Sequence, residues 1–459
     1  METLDKLRRA TKGTDYEGKL YLVGGIVRDK ELGVSSQQDI DIVLEGDATL
    51  LAEFLRKKGV AEHVPVLFPR FGTAMITVNG GQVELVSART EAYQPESRKP
   101  EVKLASLRED ALRRDFTINT LLENLHTGEV IDPLGLAFTD IKNKIIRTPA
   151  DPKATFAEDP LRMLRAIRFA ARFDFTIEAN TYEAVKEEIG RLSIVSKERI
   201  RDEFTKMLMS PNAIRGLELL RETGLISQFA SELSAMYGVT QNIYHIYDCW
   251  THTLKTLEAL PHESGLLLRL AAVFHDIGKP DTRTVDEKGN VHFYTHQNVG
   301  ADMTRRIMNR LRFSNDEIAR VSKMVLLHLR VGEYDCNWSD AAVRRLIRDT
   351  GDLLPDLIAL TRADKAASNT AMPSVDLVEF LSRVDEVQSE VDISRLKSPL
   401  CGREIMEILH ISPGPILREA KEFLTNEVIE GRLRQDDKET AKRLVEERFG
   451  RELPAMSDE

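Results

Sequence analysis

The spacing of apolar and polar residues divides the chain into a strand-rich beginning and a long helical remainder. Short runs rich in Val, Ile and Leu predict strands over residues 20–23, 40–44, 74–78 and 82–86. Asn79-Gly80-Gly81 separates the last two runs and predicts a hairpin turn. From about Pro160 onward the apolar residues recur at helical spacing, and prolines fall where helices would begin or end. The pattern predicts a small α+β head followed by a long helical body.

Two aspartates lie at the second predicted strand. Asp39 and Asp41 share one face of a strand, while Ile40 and Ile42 point into the core. Such close carboxylates repel each other unless a cation lies between them, and two Mg²⁺ ions there would activate an attacking hydroxyl and stabilise a departing pyrophosphate. An Asp-x-Asp pair alone is more often a solvated strand end. Glu84 is a third carboxylate, expected to be buried among the apolar residues of a neighbouring strand, and a buried carboxylate needs a partner, which favours the metal site.

A pair of glycines precedes these aspartates. Gly24-Gly25 follows the first strand and opens a predicted helix that contains Arg28. Glycines at this place let backbone N–H groups approach a phosphate, although most such pairs are simple turns. Gly-Gly, then Asp-x-Asp, then an isolated acid on the next hairpin resembles the polymerase-β type of nucleotidyltransferase. That resemblance implies a small head built on a mixed sheet.

Two longer motifs make the resemblance more specific. Residues 113–119 read Arg-Arg-Asp-Phe-Thr-Ile-Asn, and residues 158–162 read Glu-Asp-Pro-Leu-Arg. They resemble the tRNA nucleotidyltransferase and bacterial poly(A) polymerase family, in its bacterial and eukaryotic branch (class II). The resemblance implies an elongated, all-helical body behind the head. It also implies an enzyme that adds or repairs the 3′-terminal CCA of tRNA from CTP and ATP, without a nucleic-acid template and with two Mg²⁺ ions on Asp39 and Asp41.

The family resemblance assigns roles to individual residues. Asp159 and Arg162 would select C or A, since a carboxylate accepts and a guanidinium donates hydrogen bonds to a base edge. Arg165 and Arg168 follow at helical spacing and would face the triphosphate or the RNA end, although most such stripes are ordinary solvated helix faces. The nucleotide-binding residues implied are Gly24, Gly25, Arg28, Arg114, Asn119, Asp159, Arg162, Arg165 and Arg168.

Two segments bear on which nucleotides are added. Residues 90–106 form a polar, proline-bounded loop of the kind that family members adding only CC lack, which favours A addition. The family hinge is represented by residues 132–140, with one glycine fewer and one residue more than usual. Full CCA addition, addition of the terminal A alone, and poly(A) synthesis therefore all remain open.

The middle third of the chain contains a cluster of histidines and acids. An adjacent His-Asp pair on an apolar helix is costly to bury unless it is satisfied, and metal ligation would satisfy it. The spacing resembles the HD phosphohydrolase domain. That resemblance implies one transition metal on His252, His275, Asp276 and Asp364, and a second on His296 and His328. The alternative is a degenerate HD domain kept as an RNA-binding scaffold.

The length of 459 residues calls for about three or four domains. The expected boundaries are 1–145 for the nucleotidyltransferase head, 146–235 for a helical neck and RNA-binding domain, 236–370 for the HD domain and 371–459 for a helical tail. A net charge of −10 argues mildly against a protein that coats nucleic acid, but local charge decides affinity. Oligomeric state is left open.

The expected location is the cytoplasm. No apolar run is long enough to span a bilayer, the first residues lack the apolar core of a secretory signal, and the three cysteines fit a reducing compartment. The expected partners are the tRNA 3′ end, CTP and ATP. A hypothesis from another class is an HD phosphohydrolase with a vestigial head. It is opposed by the intact head and neck residues Asp39, Asp41, Arg114, Asp159 and Arg162.

Overall fold

The computed structural model describes residues 2–34, 40–92, 101–369, 371, 376–390 and 396–450. The chain divides into two compact units, Met1–Ser231 with Arg310–Arg312, and Glu232–Asn309 with Phe313–Glu459. Asp39 and residues 93–100 of the loop at 90–106 lie outside the described residues, so the expectations placed on them stay predictions. The four domain boundaries also stay predictions.

The first unit contains a seven-stranded sheet, in the order β3-β4-β5-β2-β1-β8-β9. Its strands, together with two short pairs (β6–β7 and β10–β11), are β1 (Leu20–Val23), β2 (Ile40–Leu44), β3 (Val66–Phe68), β4 (Thr73–Val78), β5 (Gly81–Ser87), β6 (Arg89–Ala92), β7 (Glu101–Leu104), β8 (Leu122–Asn124), β9 (Val130–Ile131), β10 (Ile145–Ile146) and β11 (Thr176–Ile177). In the seven-stranded sheet β2 and β5 run parallel and the other pairs antiparallel, which confirms the predicted mixed sheet. The parallel pair is central to the site described below.

The predicted hairpin joins β4 to β5. Asn79 and Gly80 form its two-residue turn, with φ angles of 52° and 72°, as a turn that follows the right-handed twist of the strands requires. Gly81 pairs with Val78 and therefore belongs to the strand, not to the turn. The hairpin places β5 between β4 and β2.

Ten helices described in the first unit surround the sheet and form the neck. They are α1 (Glu2–Thr11), α2 (Gly25–Glu31), α3 (Ala48–Lys57), α4 (Leu107–Leu112), α5 (Ala137–Lys142), α6 (Pro152–Glu158), α7 (Leu161–Phe173), α8 (Ala179–Glu188), α9 (Lys197–Leu208) and α10 (Ala213–Glu222). Helix α3 buries Leu51 and Leu55 against Ile42 and Leu85 of the sheet, and each such side chain contributes roughly 1.5–3 kcal/mol. Helix α7 is rich in Leu, Ala, Met and Arg, which favour helices, and its apolar face is buried.

The second unit is helical over its described residues apart from one short strand pair. Its elements are α11 (Ser231–Ser234), α12 (Cys249–Glu258), α13 (Leu266–Phe274), α14 (Lys279–Thr282), β12 (Thr284–Val285), β13 (Val291–His292), α15 (His296–Arg310), α16 (Asn315–Gly332), α17 (Asp340–Thr350), α18 (Leu354–Ala366), α19 (Leu377–Glu390), α20 (Gly402–Leu409), α21 (Pro415–Ile429) and α22 (Lys438–Phe449). Helix α13 ends at Phe274, so His275 and Asp276 lie in the buried turn after the helix rather than on it as predicted. None of the described helices is long and apolar enough to cross a membrane.

A close backbone approach in the second unit depends on glycine. A Cβ atom on Gly278 would lie 2.3 Å from the carbonyl oxygen of His296 and 2.7 Å from the amide nitrogen of Gly300. Because both atoms belong to the backbone, a side-chain rotation cannot relieve the clash, and helix α15 would have to move. Gly278 therefore fixes the position of His296.

We expect Gly278→Ala to destabilise the chain by about 2 kcal/mol, as overpacking in a tight interior does. The matching fall in melting temperature is roughly 4–8 °C. The control is Gly265→Ala, because an added Cβ atom there meets nothing within 4 Å. Calorimetric melting of both variants tests the expectation, and equal melting temperatures would contradict it.

Candidate nucleotidyl-transfer site and metal centre

The acidic part of the first site lies where β2 and β5 pair. Asp41 is in register with Glu84 on the parallel neighbour, so the two side chains project from the same face of the sheet. Glu84 is half-buried rather than buried as expected, because its face of the sheet is only partly covered: Met75 and Val86 on that face are half-buried too. Gly24 begins α2 beside them, and a Cβ atom there would lie 4.0 Å from Oδ2 of Asp41.

A cavity of about 710 Å³ opens beside Asp41, and five arginines are among the residues that line it. Eight of the predicted site residues line it: Gly24, Gly25, Arg28, Asp41, Arg114, Asn119, Arg165 and Arg168. Glu84, Asp159 and Arg162 are not among its lining residues. The cavity also exposes Arg172 and Lys206, which were not predicted as site residues. A carboxylate facing several cations suits an anionic ligand that carries a metal ion.

Arg28 connects the head to the neck. Its side chain is buried, with Nη1 donating to Oδ1 of Asn119 at 2.5 Å and Nε donating to Oδ1 of Asp29 at 2.8 Å. Its guanidinium lies 4.9 Å and 4.8 Å from the ring centres of Phe169 and Phe173 on α7. Burial lowers the pKa of Arg28, and the neighbouring Asp29 opposes that shift. These contacts orient α2, which carries the glycines, against α7, which carries the arginine stripe.

Asp115 is a site residue that the sequence reasoning missed, although it lies inside the quoted motif at 113–119. Its Oδ2 accepts from Nε of Arg165 at 2.8 Å, and its Oδ1 accepts from Nδ2 of Asn119 at 2.9 Å. Burial would raise the pKa of Asp115, but the charge of Arg165 and these hydrogen bonds outweigh it and lower the pKa to about 2. The carboxylate is therefore ionised and fixes two predicted nucleotide-binding side chains.

The arginine stripe of α7 is not a solvated helix face. Arg168 is 8% exposed, and its Nε donates to Oε2 of Glu203 on α9 at 2.5 Å. Arg172 forms an ion pair with Asp29 at 2.7 Å, as Arg165 does with Asp115. Each of these arginines has a carboxylate partner, so the stripe is held in place before any ligand arrives.

The predicted base-reading pair lies where α6 meets α7. Oδ2 of Asp159 accepts from Nη2 of Arg199 at 2.8 Å, and Oδ1 accepts from the backbone N–H of Leu161 at 3.2 Å. Arg162 donates to the carbonyl oxygens of Arg113 at 2.8 Å and Thr155 at 3.2 Å. The acceptor and the donor are therefore held by different partners. Arg199 was not predicted from the sequence.

The six predicted residues of the HD cluster form two adjacent groups in the second unit. His252, His275 and Asp364 offer ligand atoms within 4.8 Å of one another, and so do Asp276, His296 and His328. Asp276 connects the groups: Oδ2 lies 3.3 Å from Nε2 of His275, and Oδ1 lies 3.5 Å from Nε2 of His296. Asp276 was predicted to bind the first metal, but the structure groups it with His296 and His328. Its Oδ2 atom still lies near His275 of the first group.

Backbone carbonyl groups orient the imidazoles. Nδ1 of His275, His296 and His328 lies 2.7–2.8 Å from the carbonyl oxygens of Ala272, Phe293 and Val325 respectively. An Nδ1–H that donates there leaves Nε2 as a lone pair, which is how metal-bound histidines are commonly held. Burial lowers the pKa of His328 to about 3, so its ring is neutral. Burial would lower the pKa of His275, but the charge of the neighbouring Asp276 outweighs it and raises the pKa. Imidazole Nε2 atoms and carboxylate oxygens converge at this cluster, a donor set that fits divalent transition metals.

The cavity over the cluster, about 320 Å³, is lined by four of the predicted residues and also by residues that the sequence reasoning missed. Nζ of Lys279 lies 2.6 Å from Oδ2 of Asp276 and 3.2 Å from Nε2 of His245. Burial and the charge of Lys279 lower the pKa of His245 to about 3. Tyr244 and Tyr294 are exposed and line the same cavity. The Gly-Lys that follows His275-Asp276 was a signal for Lys279, but no local pattern pointed to His245.

The depressed pKa of Asp115 predicts how stability depends on pH. A carboxylate with a lowered folded pKa stabilises the fold above its unfolded pKa of about 3.9, and that stabilisation is lost as the pH falls towards 2. We expect Asp115→Asn to cost about 2 kcal/mol of unfolding free energy near pH 5. The difference from wild type should shrink below about pH 4.

Urea unfolding of both proteins between pH 5 and pH 3 measures this difference. Asp15→Asn is the control, because Asp15 is an exposed carboxylate of the same unit. A pH-independent difference for Asp115→Asn would mean that the carboxylate contributes through packing and not through its charge.

Comparison with known proteins agrees with this geometry. Residues 20–147 match the poly A polymerase head domain, residues 174–236 match the family described as "Probable RNA and SrmB- binding site of polymerase A", and residues 242–369 match the HD domain. Among solved structures, the CCA-adding enzyme of Bacillus stearothermophilus in complex with CTP has a TM-score of 0.68 at 22% identity, covering 98% of this chain and 99% of that one. At that identity the likeness shows the fold.

Sequence relatives show the family. The chain is 33% identical to the A-adding tRNA nucleotidyltransferase of Deinococcus radiodurans over 327 residues, which cover 68% of this chain and 73% of that protein. It is 32% identical to the CC-adding tRNA nucleotidyltransferase of Thermus thermophilus over 452 residues, which cover 95% of each. The resemblance read from the sequence is confirmed: the chain is an enzyme of the tRNA nucleotidyltransferase and poly(A) polymerase family and carries an HD domain.

Proposed function

We propose that the chain adds or repairs the 3′-terminal CCA of tRNA, from CTP and ATP and without a nucleic-acid template. The observation that carries the proposal is the position of Asp41, which lies in register with Glu84 and lines the cavity together with five arginines. The triphosphate would lie against Arg165 and Arg168, with its α-phosphorus towards Asp41. The 3′-oxygen of the tRNA then attacks that phosphorus and loses its proton, while the bond to the pyrophosphate oxygen breaks.

The acidic residues fit Mg²⁺. Asp41 and Glu84 present carboxylate oxygens from one sheet face, and oxygen ligands are those that Mg²⁺ prefers. Asp39, which precedes β2, would complete the set. Magnesium bound there would lower the pKa of the attacking hydroxyl and neutralise charge on the pyrophosphate. The arginines of the wall bind and orient the triphosphate, and Asp115 keeps Arg165 and Asn119 in position for it.

Base choice follows from the chemistry of Asp159 and Arg162. C and A share an exocyclic amino group, which donates, beside a ring nitrogen, which accepts. U and G present a carbonyl group and a ring N–H at the same places, so donor and acceptor are exchanged. An ionised carboxylate accepts only, and a guanidinium donates only. A carboxylate placed at the amino group and a guanidinium at the ring nitrogen therefore accept C and A and reject U and G.

The runner-up is addition of the terminal A alone, and poly(A) synthesis is a third candidate. One assay separates the three candidates. The purified protein, with Mg²⁺ and labelled CTP or ATP, is given tRNAs that end before the CCA, within it, or one residue short of its end. We expect C and then A to be added until the CCA is complete. Labelling only of the tRNA that lacks its last A would support the runner-up, and a long A tract would support the third candidate.

The metal-binding proposal predicts the effect of Asp41→Ala. Losing a metal ligand removes several kcal/mol of transition-state stabilisation, so we expect nucleotide addition to fall on the order of 10³-fold or more. Binding of tRNA, measured by gel shift, should be retained. The control is Glu53→Ala, which removes an exposed carboxylate from α3. Substantial turnover by Asp41→Ala would contradict the two-metal mechanism.

A second activity is favoured by the HD cluster in the second unit. We propose that its six side chains bind transition-metal ions and that the cavity hydrolyses a small phosphoester, such as a 2′,3′-cyclic phosphate. Water adds to phosphorus, one P–O bond of the ring breaks, and the released oxygen takes the proton. Lys279 lies beside Asp276 and supplies positive charge for the phosphate. This chemistry would begin to clear a blocked RNA end, which has no free 3′-hydroxyl for the head to extend.

For this site we expect nickel, manganese or cobalt to raise the melting temperature of the wild type and to support hydrolysis of a 2′,3′-cyclic nucleotide. Asp276→Ala should lose both effects, because Asp276 reaches both ligand groups. His262→Ala, which removes an exposed histidine of the same unit, is the control. A wild type that binds no metal and hydrolyses no phosphoester would reduce the domain to a scaffold and leave the nucleotidyltransferase proposal intact.

A further inference from the structure

The carboxylate of Asp159 is held by an arginine from another helix. Arg199 lies in the first turn of α9, which begins after Ser196, and its Nη2 donates to Oδ2 of Asp159 at 2.8 Å. The remaining oxygen, Oδ1, accepts from the backbone N–H of Leu161 at 3.2 Å. One hydrogen bond therefore comes from the backbone of Asp159's own segment, and the other comes from the side chain of Arg199.

This ion pair contributes little to folding. The side chain of Arg199 is 53% exposed and that of Asp159 is 29% exposed, and ion pairs in contact with water stabilise proteins only slightly. The buried ion pairs of the same unit, such as Arg168 with Glu203, matter more for folding, because removing one partner leaves the other as an unpaired buried charge. A structural role alone therefore does not account for the contact of Arg199 with Asp159.

The alternative partner of Asp159 is Arg162, three residues along the chain. Asp159 lies in the extended connection between α6 and α7, and Arg162 lies in the first turn of α7, so the two opposite charges are close along the chain and attract each other. In the structure they are kept apart: Arg162 donates to Glu158 at 3.0 Å and to the carbonyl oxygen of Arg113 at 2.8 Å, while Asp159 is turned to Arg199. If Asp159 and Arg162 paired with each other, the acceptor and the donor needed by a base would both be consumed.

We propose that Arg199 is a positioning residue that keeps the Asp159 carboxylate away from Arg162, and that it thereby sets the selection of C and A over U and G. The inference rests on the proposed function, in which Asp159 and Arg162 read the base. Arg199 touches neither the base nor the reacting atoms. It fixes an ionised acceptor where the amino group of C or A arrives, so the carbonyl group of U or G meets a like-polarity partner.

The test measures kcat/KM for all four nucleoside triphosphates on tRNA that lacks its CCA and on tRNA that lacks only the last A. In Arg199→Ala we expect the preference for CTP over UTP, and for ATP over GTP, to fall about tenfold or more, the range that one well-placed base contact controls. Arg199→Lys keeps a donor and should recover much of the preference. Arg215→Ala, which removes an exposed arginine from α10, should leave the preference unchanged.

Melting temperatures identify a variant that fails by misfolding, and Arg162→Ala separates this inference from the proposed function. An unchanged preference in Arg199→Ala, with a lost preference in Arg162→Ala, would overturn the role of Arg199 and leave base reading by Arg162 standing. A preference unchanged in both variants would overturn base reading by this pair and the inference with it. An equal fall with all four nucleotides in Arg199→Ala would also overturn the inference, because it would mean that Arg199 supports only the fold.

Discussion

The pairing of the α7 arginines with carboxylates is the constraint on which the first site depends. Several guanidinium groups around one cavity repel each other until a polyanion binds there. In this chain the repulsion is offset in advance, by Asp29 and Asp115 from the head and by Glu203 from α9. The pairs with Asp29 and Asp115 also join the head to the neck, so one wall of the cavity is also a connection within the first unit. Preorganised charges of this kind need no reordering when the ligand binds.

The local patterns of the sequence were sufficient for the framework of this site. Strand alternation at 40–44 and 82–86, the glycines at 24–25 and the helical spacing of the arginines each depend on neighbouring residues, and β2, β5, α2 and α7 form where these patterns predict them. The sequence could not predict that β2 and β5 run parallel and place Asp41 beside Glu84, because that register is decided by the whole sheet. It also overestimated the burial of Glu84, since apolar neighbours along a strand do not show whether its other face is covered.

The sequence analysis chiefly missed contacts between residues that are far apart in the chain. Asp115 contacts Arg165 fifty positions away, and Asp159 contacts Arg199 forty positions away, and neither pair leaves a periodic signal. The HD cluster was predicted more completely because its spacing resembles the HD domain, and that resemblance implied all six ligands. Even there, the sequence placed His275 and Asp276 on a helix. The helix ends at Phe274, and the turn that follows directs both side chains into the cluster.

In both sites, neighbouring groups orient the polar side chains before any ligand binds. At the HD cluster, backbone carbonyl groups accept from Nδ1 of three histidines and leave the Nε2 lone pairs towards the centre. At the base-reading pair, a carbonyl group holds the donor Arg162, but an acceptor needs a donor to hold it, and Leu161 supplies a single N–H. A carboxylate with two oxygens needs a second donor, and in this chain that donor is the side chain of Arg199. If Asp159 and Arg162 read the base as proposed, the fidelity of this protein template depends on residues that do not touch the base.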